Sequence, residues 1–215
     1  MAQLLTQHDV RGIMPPLVTP FTKDEELDLP AFRDEVAYME SLGVKAVSVG
    51  GSTGEGWSLS PEELGTLVKT ASSVLNGRIP VIAGIITTNT RDAVRKANVA
   101  REAGAGAVMV TPPIYLQPSD DCIRSFYQAL YDESGMPIVL YNVLTALPIS
   151  VSLMRKMVDT NPGMIGTKES IASGLENLGF FLSLSLARFP PLSCVWHASP
   201  GIKACALRGQ IEQQL

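Results

Sequence analysis

Five times along the chain a helical segment runs into a glycine and then into a short apolar run: SLGVKAVSVGG, LNGRIPVIAG, EAGAGAVMVTP, ESGMPIVLYN and TNPGMIGTK. The glycines are Gly43, Gly77, Gly104, Gly135 and Gly163, spaced 34, 27, 31 and 28 residues apart. That interval holds one helix, one strand and two short connections, so the repeating unit is a β-α pair. Each glycine suits the left-handed residue that ends a helix. The Val- and Ile-rich run after it reads as a strand buried on both faces. Strands of that kind, joined through helices, form a parallel sheet, which places the chain in the α/β class.

Counting an opening strand at 13–18, the pattern gives further strands at 44–49, 79–85, 107–111, 137–142, 164–167 and 192–196. Ser60-Pro61-Glu62-Glu63 is a capping box with proline at the first helical position, and Asn76-Gly77 closes that helix. Thr90-Arg91-Asp92 opens the next, with Ala93, Val94, Ala97 and Ala100 on its apolar face. A doubly wound sheet and an eightfold barrel both fit such a repeat. The barrel is favoured because polar or reactive residues follow the carboxyl ends of successive strands: Ser52 and Thr53, Thr87 to Asn89, Thr111 to Tyr115, Tyr141 with Asn142, and Lys168. The expected fold is a (β/α)8 TIM barrel forming one domain over 1–215. It is expected to be truncated after about seven β-α units, with a divergent or incomplete C-terminal part from about residue 171, because full barrels run to about 250 residues.

Composition removes several classes of function. A net charge of −4, with no basic run interleaved with aromatics, argues against nucleic acid as a partner. No stretch approaches the roughly 18 apolar residues of a membrane span, and the first dozen residues lack a signal-peptide pattern, so a cytoplasmic protein is expected. Cys122, Cys194 and Cys205 contain no C-x-x-C pair and read as core thiols. The two histidines, His8 and His197, lack ligand spacing, so neither a metal nor a cofactor is expected.

The glycine-rich turn GGSTGEG (50–56) offers backbone amides and two hydroxyls to an anion such as a carboxylate or phosphate. It lacks the lysine of a P-loop and the spacing of a dinucleotide fingerprint. It also matches G-x-S-x-G, the nucleophile elbow of serine hydrolases, with His197 downstream of Ser52. Lys168 is either an ordinary lysine paired with Glu169 or a reactive amine held in a dry pocket, since an amine must be unprotonated to attack a carbonyl. Tyr141 and Lys168 end neighbouring strands. The phenol could therefore move protons beside the amine, with Ser52 or Thr53 as a hydroxyl relay; otherwise Tyr141 is a core aromatic.

GSTGE (51–55), TPPIYLQPS (111–119), LYNV (140–143) and IGTKES (165–170), in this order, resemble the dihydrodipicolinate synthase and N-acetylneuraminate lyase family. The opening GIMPPLVTPFTKDEELDLPAF is similar to that family's first strand and helix. The resemblance implies a class I pyruvate aldolase or lyase that binds pyruvate, or the pyruvyl end of a 2-oxo acid, as a Schiff base. It implies Lys168 as the Schiff-base residue and Tyr141 as the general acid/base. Ser52, Thr53 and Gly51 become carboxylate-binding, with Thr53 also in the relay. Tyr115 matches the tyrosine that reaches a neighbouring subunit's site, and a homo-oligomer, dimer or tetramer, is expected.

Two departures qualify the resemblance. The synthases carry an arginine in YNVPxRTG, whereas this chain reads YNVLTALP with Ala146 at the corresponding place. The first hydroxyl of the glycine-rich turn is serine, as in sialic-acid lyases. Aspartate semialdehyde is therefore not the expected aldehyde, and a sugar-acid or other 2-oxo-acid aldolase fits better. Beyond Ser170 the family's pattern is not evident, which raises the alternative of a catalytically silent member acting through oligomer assembly.

Overall fold

The computed structural model describes residues 3–115 and 117–170, together with the strand at 194–196. Six parallel strands, β1 (Val47–Val49), β2 (Val81–Ile85), β3 (Ala107–Val110), β4 (Ile138–Asn142), β5 (Met164–Glu169) and β6 (Cys194–Trp196), lie side by side in chain order. Helix α1 (Leu29–Ser41) precedes β1, and α2 (Pro61–Leu75), α3 (Thr90–Ala103), α4 (Asp120–Ser134) and α5 (Val151–Thr160) follow β1 to β4 in turn. A doubly wound sheet reverses its strand order at a switch point. This sheet never does, so its described part is a stretch of barrel wall.

The apolar runs do not alternate with polar residues because both faces of each strand are buried. Val49, Ala83, Ile85, Val108, Val110 and Leu140 pack outward in the layer beneath the helices. Ala46, Ile82, Ala107, Met109, Val139 and Ile165 point into the barrel, where Leu5, Val10 and Met14 of the N-terminal segment join them. Leu5 is held there by its N–H donating to Gly106 O at 2.9 Å. No helix among the described residues is long and apolar enough to cross a membrane.

Local signals account for the helix ends. Ser60 Oγ accepts from Glu63 N at 3.1 Å while Glu63 Oε2 accepts from Ser60 N at 2.7 Å, the reciprocal capping box. α3 opens at Thr90 as read, capped by Asn89, which accepts from Asp92 N. Gly104 ends that helix at φ 103°, a conformation that favours glycine. The inner face of α3 carries Ala93, Ala97 and Ala100 in the core with Val94 packed against it, as read, and Lys96 beside them. Val94 is only half-buried, whereas Lys96 is buried with its ammonium 3.5 Å from Asp92 Oδ2.

Three expectations are corrected. The opening strand at 13–18 is reduced to an isolated bridge between Pro16 and Ser48. The segment does lie along β1: Lys45 and Ser48 donate to Ile13 O and Pro15 O, and Leu17 donates to Ser48 O. Pro15 and Pro16 have no N–H to give, so no continuous ladder forms. Gly163 is not a left-handed helix end. α5 closes at Asn161 in extended conformation, and Gly163 is small because a Cβ there would stand 2.2 Å from Tyr131 Cδ2. Cys122 lies exposed on α4 rather than in the core. Cys205 and His197 fall outside the described residues, as does any chain beyond β6.

Candidate active site

The site is set by the register of β4 against β5. Ile138 pairs with Met164 and Val139 with Gly166, so Ile165 is an extra residue and β5 bulges there. Beyond the bulge Tyr141 pairs with Lys168 and Asn142 with Glu169. Lys168 therefore lies inside its strand, one residue before its end, rather than just after it.

Tyr141 and Lys168 are each 4% exposed, and Lys168 Nζ sits 4.1 Å from the centroid of the Tyr141 ring. Among the described residues the amine has no hydrogen-bond acceptor and no carboxylate partner. Glu169 does not pair with it, because adjacent residues of a strand face opposite ways. Its Oε2 accepts from Asn142 Nδ2 at 2.9 Å and its Oε1 from Ser170 N at 3.1 Å.

The glycine-rich turn brings a hydroxyl to the same place. Ser52 Oγ donates to the Tyr141 hydroxyl at 3.3 Å. The turn can lie this low because β2 carries Gly84, where a Cβ would stand 2.5 Å from Gly50 O and Gly51 N. Thr19 Oγ1 pins it from the other side by donating to Gly54 O at 2.7 Å. Gly51 is buried against Met109 and Ser48, while Thr53 is exposed. α2 starts at Pro61, well past Ser52, so the turn is not the tight strand-to-helix elbow of a serine hydrolase.

Tyr115 stands apart from this cluster. It is 93% exposed, at φ 82°, on the loop after β3. Ala146 occupies an exposed turn closed by Leu147 N donating to Leu144 O at 3.0 Å. Among the described residues no group of three His, Cys, Asp or Glu is placed to hold a metal ion.

Two anchors escaped the sequence reading. Tyr127 of α4 donates to Val110 O at 2.8 Å, and burial pushes its phenol well above the usual range, so it stays a donor. Asn142 bonds Glu169 and also accepts from Ile149 N at 3.0 Å, tying the loop after β4 to the strand pair beneath it. An amide after a strand-end tyrosine, with a glutamate after a strand-end lysine, was the available signal. Asn142→Ala leaves the buried Ile149 N–H without its acceptor, at about 1–3 kcal/mol for each such group. The expected result is a fall in Tm of roughly 5–10 °C, checked by calorimetry.

The model described as the dihydrodipicolinate synthetase family matches residues 9–178. The 4-hydroxy-tetrahydrodipicolinate synthase of Maridesulfovibrio salexigens is 34% identical over 168 residues, 76% of this chain and 56% of that protein. Among solved structures, a monomeric dihydrodipicolinate synthase variant superposes with TM-score 0.81 at 27% identity, covering 90% of this chain and 64% of its own. YagE, an E. coli K12 prophage protein of the dihydrodipicolinic acid synthase family, solved in complex with pyruvate, gives TM-score 0.77 at 28% identity, with coverages of 86% and 62%. The chain spans about half the length of the curated relatives it matches.

Proposed function

The chain belongs to the dihydrodipicolinate synthetase family, and on that premise we propose that it is a class I lyase or aldolase whose Lys168 takes up pyruvate, or the pyruvyl end of a 2-oxo acid, as a Schiff base. The observation that carries this reading is the buried Lys168 amine, set against Tyr141 by strand register without a counter-ion among the described residues.

Lys168 Nζ adds to the C2 carbonyl, whose oxygen takes a proton to give a carbinolamine. Loss of water leaves an iminium, which withdraws electrons from C3 so that C3 gives up a proton and becomes an enamine carbon. That carbon attacks the aldehyde, the new alkoxide takes a proton, and water then hydrolyses the iminium to free the product and the lysine. Cleavage of a 2-oxo acid runs the same steps backwards.

Tyr141 moves these protons. Ser52 donates onto its oxygen, which leaves the phenolic proton to be directed at the substrate. The amides of the 50–54 turn, with Ser52, Thr53 and Gly51, hold the carboxylate. The exposure of Tyr115 supports a homo-oligomer in which it reaches a neighbouring subunit's site. Ala146 brings one methyl group where a second substrate's carboxylate would need a guanidinium, so the aldehyde is not aspartate semialdehyde.

Borohydride reduction in the presence of pyruvate, read by intact mass and peptide mapping, tests the proposal. One reduced pyruvyl adduct on Lys168 is expected. Folded protein that yields none would overturn it and leave the assembly role as the reading to pursue.

A further inference from the structure

Thr111 directly follows β3, and its N–H extends the ladder by one rung, donating to Ile85 O at 3.2 Å. Val110 packs outward and Met109 inward, so strand alternation puts the Thr111 side chain on the interior face. Val110 pairs with Leu140, and the next rung sets Thr111 beside Tyr141, which pairs with Lys168. Three successive strands thus supply one row of polar groups at the mouth of the barrel.

The backbone around Thr111 is held on three sides. Tyr127 bonds Val110 O, Thr111 N bonds Ile85 O, and Ile114 N donates to Thr87 O at 2.9 Å. Thr111 is 1% exposed, yet its Oγ1 has no hydrogen-bond partner among the described residues. Buried hydroxyls are almost always satisfied, and the neighbouring interior side chains Met109 and Val139 offer no acceptor. A fixed, orphaned hydroxyl in the same row as the reactive amine has the chemistry of a ligand contact. We propose that Thr111 Oγ1 hydrogen-bonds an oxygen of the pyruvyl group bound at Lys168, which makes it a further substrate-binding residue. This inference rests on the Schiff-base reading of Lys168.

Thr111→Val keeps the branched shape and removes only the hydroxyl. Measured on the full chain, two readouts should separate. The Tm should hold or rise, because an unpaired polar atom has gone from the interior. The pyruvate concentration for half-maximal borohydride trapping on Lys168 should rise about tenfold. Thr111→Ser, which keeps the hydroxyl, should trap at close to the parental concentration. Parental trapping by the valine variant overturns the proposal. So does a lowered Tm in both variants with parallel loss of capture, which would mark the residue as structural. If the parent protein itself gives no Lys168 adduct, the Schiff-base reading fails first and the role of Thr111 falls with it.

Discussion

Lys168→Met should abolish pyruvate capture and leave the protein as stable as its parent or more so. Removing a partner from a buried ion pair normally strands the other charge. Here the amine has no carboxylate partner among the described residues, so nothing is stranded and a desolvated amine is replaced by an apolar chain of similar length. The thioether can keep the contact with the Tyr141 ring. Turnover, by contrast, has no other amine placed in the row among the described residues and should drop on the order of a thousandfold or more, as when a covalent nucleophile is deleted. Borohydride mass spectrometry and calorimetry on the same sample check both halves. An adduct that persists in the variant would move the chemistry to another lysine, and a sharply lowered Tm would make Lys168 a structural residue.

Tyr141→Phe should separate proton transfer from packing. The ring remains to pack with Met109, Val139 and Ile165 and to lie against the lysine, so stability should change little. The phenolic proton is lost, and with it an acid/base contribution of about 10²–10⁴ in rate. Pyruvate should still be trapped if given time, but slowly. Time-resolved trapping distinguishes this from a binding defect: a slow approach to the parental extent is expected, whereas a parental rate to a reduced extent would assign Tyr141 to binding alone. Ser52→Ala, which removes the donor onto the Tyr141 oxygen, should show a smaller effect of the same kind.

The parallel sheet was legible because glycine stops and unalternating apolar runs report short-range requirements that each repeat must meet on its own. The pairing of Tyr141 with Lys168 was legible for a related reason, since strand ends in a β-α repeat meet at one rim. The contact of Ser52 with Tyr141 was half legible: two adjacent hydroxyls look equivalent in sequence, and only the path of the turn over Gly84 sends Ser52 inward and leaves Thr53 exposed. Proline placement hid the fate of the opening segment, whose strand-like composition cannot show which N–H groups its ladder would need. Gly163 illustrates the converse. A glycine required by the approach of Tyr131, from a helix about thirty residues earlier, looks in sequence like one required by backbone conformation. The clamp of Asn142 on Glu169 was obscured because the sequence groups Asn142 with the polar strand ends and Glu169 with Lys168 as its ion-pair partner, although both point away from the amine.

The extra residue Ile165 in β5 has a consequence for how this gene can change. If Val139 faced Ile165 instead of Gly166, Tyr141 would face Thr167, and Lys168 would turn outward among the apolar side chains beneath the helices. Deleting the codon for Ile165 would leave a regular ladder in which Gly166 still faces Val139 and Lys168 still faces Tyr141, whereas an inserted codon there would need a second extra residue or would turn the amine outward. Within this strand the site tolerates the loss of one residue and not the gain of one, because a single bulge already takes up the mismatch between the two strands.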